Sequence, residues 1–237
     1  MKKQDILERN FHLCNENQDG ELTEDEVSNL SLQLEEPMLN QSYYPNKEAL
    51  SKLESLYRKG THLMGEKLSL FYLKELKTEL SGFFVLPFPW LMRHIAQVNP
   101  LEQGAHSRIS GDVRGELYLR FPAETGSKLV RLGMKTWGFK RVFFTRRVQE
   151  SILTETMNLL INTFWATLQE RVPIQWTLTP PVPVASISKS LKLASKVYSS
   201  DHSVLWAEIS VQPDLKMELI FIPTEDALDS FLLNLQA

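Results

Sequence analysis

The residues with chemistry to offer lie on one stretch, Arg146 to Glu170, where Glu155, Asn158 and Asn162 recur at helical spacing. At about 100° per residue, Leu153, Met157, Leu160, Phe164 and Leu168 fall within about 80° of one another, and the acid and two amides lie roughly opposite. A helix here buries an apolar seam and presents a carboxylate and two carboxamides outward. Solvated helix faces usually carry long Lys, Glu and Arg, whereas this one is short of cations and rich in Asn, a mediocre helix former. Ile152 and Leu159 project beside Glu155 and give the polar groups an apolar rim, the composition of a protein-docking surface. An ordinary solvated face that happens to contain Asn has the same pattern, because single exposed apolar residues are common.

A second set of ligand-type side chains is packed into Asn15-Glu16-Asn17-Gln18-Asp19-Gly20-Glu21-Leu22-Thr23-Glu24-Asp25-Glu26. It matches the EF-hand loop, with Asn at the first position where Asp is usual. Oxygen ligands for calcium are Asn15, Asn17, Asp19, the Glu21 carbonyl, Thr23 through water, and a bidentate Glu26. Gly20 sits at the sharp turn and Leu22 at the apolar position. Phe11 and Cys14 before the loop, and Val27, Leu30 and Leu34 after it, have helical spacing, so helix, loop, helix is expected over residues 1–36. Asp19 and Glu26 are the only carboxylates among these side-chain ligands, and few charges weaken affinity. An acidic loop that keeps the shape without the ion is the alternative. No second loop is visible, so a lone hand must pack on the main domain, pair in a homodimer, or stay loosely structured.

Other chemistries have no constellation behind them. The histidines His12, His62, His94, His106 and His202 show no ligand spacing with one another or with Cys14, which argues against zinc. Trp165, Trp176 and Trp206 sit in core-type patterns and are expected to pack. The single cysteine excludes an intramolecular disulfide. Residues 1–13 lack the apolar core of a signal peptide, and no run approaches the roughly 18 apolar residues that span a bilayer. A cytoplasmic protein with no membrane partner is the expectation. Residues 1–36 hold ten acidic and three basic side chains; with −3 overall, the rest carries +4. The acidity thus belongs to the small module. Lys135, Lys140, Arg141, Arg146 and Arg147 form a basic group, but without interleaved aromatics it does not mark a nucleic-acid binder. A solvated turn is its default reading.

Along the chain, turn residues Pro37, Asn40, Ser42, Pro45 and Asn46 mark a linker, and residues 37–80 read as linker plus two helical patterns, Lys47–Arg58 and Leu68–Leu80, separated at Gly60 and Gly65. Phe83–Phe88, interrupted by Pro87 and Pro89, reads as an edge strand. An internal duplication organises the remainder: Leu117–Phe121 then Pro122-Ala123-Glu124 and a helix, and Glu218–Ile222 then Pro223-Thr224-Glu225 and a helix. Pro122 and Pro223 are 101 positions apart, and Val130, Leu132 and Met134 correspond to Phe231, Leu233 and Leu235. Two such units suggest pseudo-twofold halves. Ile187–Val197, Val204–Val211 and Lys216–Ile222 read as consecutive hairpin strands. The expected class is α+β, two-layer, an antiparallel sheet with helices on one side. The Thr179-Pro180-Pro181-Val182-Pro183 run reads as a stiff entry to an edge strand, or as a ligand for an aromatic groove.

Ile109-Ser110-Gly111-Asp112-Val113-Arg114-Gly115-Glu116-Leu117-Tyr118-Leu119-Arg120-Phe121-Pro122 resembles the Gly-Asp-x-x-Gly strand pair of the CheC/CheX/FliY chemotaxis phosphatase family. The resemblance continues through Glu155-Thr156-Met157-Asn158, which matches the family's Glu-x-x-Asn signature, through Pro180-Pro181, and into the last strand and helix, covering roughly residues 81–237. The tetrapeptide alone is weak, since Glu26-Val27-Ser28-Asn29 has it too; order and spacing are the specific part. The resemblance implies a phosphatase acting on phosphorylated CheY-like response regulators, with Glu155 anchoring a regulator lysine and Asn158 orienting the attacking water. Magnesium would belong to the regulator. Hydrolysis of an acyl phosphate needs an in-line water, and an amide holds one without bringing negative charge to the phosphoryl group. Two departures stand out. Ile161, Asn162 and Phe164 occupy places where the family has small residues, which would hinder close approach, and the first half offers only Glu54-Ser55-Leu56-Tyr57 and Glu75-Leu76-Lys77-Thr78. The competing reading is a non-catalytic adaptor that binds a regulator or responds to calcium.

Overall fold

The computed structural model describes residues 47–97, 102–138, 145–172, 175–184, 186–194, 198, 202–212 and 214–234. They belong to one compact unit, Asn46–Ala237. The elements are α1 (Lys47–Tyr72), β1 (Thr78–Pro87), α2 (Phe88–Gln97), β2 (Glu102–Gly111), β3 (Gly115–Pro122), α3 (Ala123–Thr136), α4 (Arg146–Gln169), β4 (Trp176–Leu178), β5 (Val182–Val184), α5 (Ile187–Ala194), β6 (Ser203–Val211), β7 (Leu215–Pro223) and α6 (Glu225–Asn234). The order helix, strand, helix, hairpin, helix occurs twice, with β4 and β5 as the broken counterpart of β1.

All strand pairs are antiparallel, in the order β1-β6-β7-β3-β2-β4, with β5 also on β2. The two hairpins meet at the β3–β7 seam, where Leu117 pairs with Phe221 and Leu119 with Leu219. Each half lends its outer strand to the other: β1 pairs with β6, and β4 and β5 pair with β2. The halves therefore interlock. The edge position read for Phe83–Phe88 is where β1 lies, and Pro87 ends that strand.

Strand alternation assigns the faces. Leu117, Leu119, Phe121, Leu219 and Phe221 point to the layer of long helices, where Phe221 meets Phe231 edge-on at 6.4 Å. Tyr118, Ile220, Ile222, Val204 and Trp206 point the other way and form a second core with Phe88 and Leu91 of α2 and Ile187 and Leu191 of α5. The α+β sheet with its helical layer is as the sequence implied, and the two short helices add a partial cover on the far side.

Four local readings change, the first being that the helical pattern read over Leu68–Leu80 stops at Tyr72 and Thr78–Leu80 opens β1. Lys47–Tyr72 is one helix, because Gly60 and Gly65 are buried inside it at close approaches: a Cβ on Gly60 would stand 2.8 Å from Phe164 Cδ2, and one on Gly65 would strike Thr78 Oγ1. That helix, placed in the 37–80 segment, belongs to the sheet domain. Ile187–Ala194 is helix α5, not a strand. Ile187, Leu191 and Ala194 are buried at i, i+4 and i+7, while Leu193, which completes an alternating pattern, is 65% exposed. Ser186 helps start the helix, its Oγ accepting from Lys189 N at 3.3 Å.

Gly111 and Asp112 of the Gly-Asp motif serve the fold. Gly111 has φ +123°, and a Cβ there would run into the Gln175 carbonyl. Asp112 grips the same residue twice, donating from its N to Gln175 O and accepting from Gln175 N, both at 2.8 Å. The motif thus ties the β2–β3 turn to the chain leaving α4.

Candidate functional site on helix α4

Helix α4 starts at a Thr145 N-cap, whose hydroxyl accepts from Val148 N at 3.3 Å, and its first turn is braced by Arg146–Glu150 at 2.7 Å. Its inner face packs on α1: Phe164 lies over Gly60 and meets Tyr57 edge-on at 4.8 Å. Thr156 Oγ1 donates back to Ile152 O at 2.8 Å and is 2.6 Å from Tyr72 Oη. Burial pushes the Tyr72 phenol up to about 12, opposed by the Thr156 bond, so it acts as a neutral hydroxyl.

The outer face carries Ser151, Glu155, Asn162 and Ala166 exposed, with Asn158 and Leu159 half-buried between them. Glu155, Asn158, Leu159 and Asn162 therefore share one surface. Among the described residues, Glu155 makes no hydrogen bond or ion pair. Asn158 Oδ1 is buried and has no hydrogen-bond partner among them. An amide oxygen left unpaired costs about 1–3 kcal/mol, while the soft terminal torsion of Asn lets the carboxamide turn.

Ile152 is not part of the rim. It is 3% exposed and packs under α3, where a Cβ on Gly133 would stand 2.9 Å from its Cγ2. The outward 100° arc ends before Ile152 because α3 covers that side of the helix. The obstruction expected from Ile161 and Phe164 is also absent, since both are fully buried against the neighbouring layer. What remains outward near Glu155 is small or polar except for the half-buried Leu159, and Asn162 of the expected obstruction is still exposed there.

Buried positions of α1 and α4 coincide at a spacing of 100 residues: Leu53 with Leu153, Tyr57 with Met157, Thr61 with Ile161, Met64 with Phe164, Leu68 with Leu168. Ser55 and Arg58 then stand where Glu155 and Asn158 stand. Arg58 is engaged within the domain, donating to Glu54 at 2.8 Å and to Leu80 O at 3.4 Å. The outward acid and amide occur on α4 alone of the pair.

On the opposite sheet face lies a polar row that sequence reasoning missed. Arg120, 3% exposed, donates to Glu102 and, at 2.5 Å, to Glu218; Glu102 also receives Ser188 N at 2.6 Å at the start of α5. Burial alone would lower the Arg120 pKa, but Glu218 and Glu102 outweigh it and hold the guanidinium above its ordinary value. Glu208 pairs directly across from Glu218, and burial, then Glu218, push its carboxyl up. Burial pushes His94 down, so its imidazole stays neutral. This row joins the two halves: Glu102 and Arg120 come from one, Glu218 and Ser188 from the other.

Among the described residues no group of three or more His, Cys, Asp or Glu is arranged to hold a metal, and no helix is long and apolar enough to cross a membrane. His62, His94, His106 and His202 are dispersed; Trp165 and Trp176 pack at 4.2 Å and are buried, as is Trp206. The loop Asn15, Asn17, Asp19, Glu21, Thr23 and Glu26, with its calcium reading, lies outside the described residues, as does His12.

No family profile and no curated protein matches the sequence. Solved structures match at the level of fold. The FliM middle domain from H. pylori has a TM-score of 0.60 at 10% identity, covering 80% of this chain and 99% of that one. Thermotoga maritima FliY has 0.60 at 11% identity, over 81% and 97%. The FliG–FliM complex from H. pylori gives 0.60 at 9% identity, over 79% and 99%. The chain has the fold of the CheC/CheX/FliY group.

Proposed function

We propose that this domain docks on a phosphorylated CheY-like response regulator and accelerates loss of its aspartyl phosphate, with Glu155 anchoring a regulator cation and Asn158 orienting the attacking water. The observation that carries the reading is the pairing of an exposed, unpartnered Glu155 with Asn158 one turn on, whose amide oxygen also lacks a partner among the described residues. The carboxylate is left for something outside the domain, and the buried amide oxygen becomes available to it when the carboxamide turns. Positioning one water is the whole of the protein's contribution, because the regulator supplies the carboxylate leaving group and its own magnesium.

A second reading, a non-catalytic regulator-binding adaptor, is favoured by the buried setting of Asn158 Oδ1: if the carboxamide does not turn, the surface binds without steering water. The FliG–FliM complex among the similar structures supports a docking role for this fold. The test is the phosphate lifetime of candidate regulators, with and without the full chain. Acceleration supports the phosphatase; binding with every lifetime unchanged favours the adaptor; neither binding nor acceleration removes both. The Asn15–Glu26 loop is proposed, from its sequence, to bind one calcium ion. Calorimetry should show one site that Glu26→Gln weakens, and no heat with the native chain overturns it.

A further inference from the structure

Asn162 lies in the middle of the outer face of α4, one turn beyond Asn158 and two beyond Glu155. Seen down the axis at about 100° per residue, it falls about 20° from Glu155 and about 40° from Asn158. It is exposed, and among the described residues its carboxamide makes no hydrogen bond. Towards both ends of the same helix, long polar side chains are engaged by the domain. Arg146 holds Glu150 at 2.7 Å, Gln169 Nε2 donates to Trp176 O at 3.0 Å, and Lys59 reaches Glu170 at 3.9 Å. Glu155, Asn158 and Asn162, between them, are not.

Helix α1 supplies the contrast. At the spacing of 100 residues, Ser55, Arg58 and His62 stand where Glu155, Asn158 and Asn162 stand. Arg58 is tied to Glu54 and to Leu80 O, and His62 Nε2 lies 3.4 Å from Glu66 Oε1. On α4 the amide at this place gives the fold nothing comparable. Asparagine in mid-helix is a poorer helix former than alanine, and the Asn162 side chain neither caps the helix nor bonds within the domain.

The chemistry has a use for it. A water attacking phosphorus in line must aim a lone pair at it, so both of its hydrogens point away. One acceptor fixes one hydrogen and leaves the molecule free to swing about that bond; a second acceptor stops the swing. Asn158 supplies the first once its buried oxygen turns outward. Side chains four apart on a helix stand about 5–6 Å apart at Cβ, close enough for two carboxamides to grip one water between them. An amide accepts the second hydrogen without adding negative charge beside the phosphoryl oxygens, which the carboxylate of Glu155 would do.

We propose that Asn162 is a second water-orienting amide, accepting one hydrogen of the attacking water while Asn158 accepts the other. The inference rests on the phosphatase reading and gives its site a third residue. A side chain that merely stood in the way of a docking receiver would produce the opposite kinetics.

The test uses the full chain and CheY-like receivers phosphorylated with acetyl phosphate. The first-order rate of phosphate loss at saturation is measured beside the Kd for the same receiver carrying beryllofluoride, and beside the urea midpoint of the chain. Asn162→Ala should lower the saturated rate about three- to tenfold, the worth of one hydrogen bond, with Kd within about twofold of wild type and the midpoint unchanged or raised. Asn162→Gln, which keeps the amide on a longer arm, should lose less. A raised Kd with the saturated rate intact makes Asn162 a docking contact and overturns the proposal. A saturated rate equal to or above that of wild type makes it a bystander or an obstruction and overturns it too. In both cases acceleration by the wild-type chain leaves the phosphatase reading standing; no acceleration of any candidate receiver by the wild-type chain overturns both.

Discussion

The hydroxyls of Tyr72 and Thr156 meet at 2.6 Å across 84 positions of sequence. Thr156 Oγ1 already donates to Ile152 O, so Tyr72 is the donor in this contact. The bond fixes the turn of α4 that carries Glu155 to the end of α1. Thr156→Val leaves the buried phenol with no acceptor and is expected to cost about 1–3 kcal/mol; Tyr72→Phe leaves Thr156 satisfied by Ile152 and is expected to cost about 0.5–1.5 kcal/mol. Urea unfolding of both variants checks the order. Equal losses contradict the assigned donor.

Gly60 sets how closely α1 and α4 approach. Alanine normally gains about 1 kcal/mol over glycine inside a helix, but here its Cβ meets the Phe164 ring at 2.8 Å. Phe164 is fully buried and hemmed by Tyr57. Overpacking of about 1–3 kcal/mol should outweigh the propensity gain, so Gly60→Ala is predicted to lower the thermal midpoint. A higher midpoint would mean that the ring can move aside.

Glu208 faces Glu218 across β6 and β7, with Arg120 turned to Glu102 and Glu218, His94 above on α2, and Lys216 along β7. Its folded pKa is raised, so the folded state binds more protons than the unfolded chain between the two values. Stability contributed by the protonated form is present at low pH and lost as pH rises through the raised folded pKa. Glu208→Gln is therefore predicted to stabilise the domain near pH 7 by a few tenths to about 1 kcal/mol, trimmed by solvent screening at this half-buried site. The gain should vanish at acidic pH. A gain independent of pH would point to packing instead.

The duplicated strand-to-helix unit was legible because Pro122 and Pro223 punctuate equal patterns, and the class of fold followed from it. The outer face of α4 was legible for the same kind of reason: Glu155, Asn158 and Asn162 lie opposite an apolar seam. Tertiary contacts hid the rest. Gly60 and Gly65 look like helix breaks until Phe164 and Thr78 are seen against them. Ile152 looks solvent-facing until α3 covers it. Arg120 and Glu218 occupy the outward places of alternating strands, and α2 together with α5, the latter disguised by Leu193 as a strand, turns that outside into an interior. The Asn158 oxygen is the finest case: helical phase gives its side, and packing beside it determines whether it meets solvent.

That amide is where the functional account is most exposed to test. The decisive measurement is the first-order rate of phosphate loss from a phosphorylated receiver saturated with the full chain, compared between wild type and Asn158→Ala. The account predicts that the variant still binds but that the rate falls by about a hundredfold or more, toward the receiver's own value. An Asn158→Ala protein that binds and accelerates as well as wild type would contradict it.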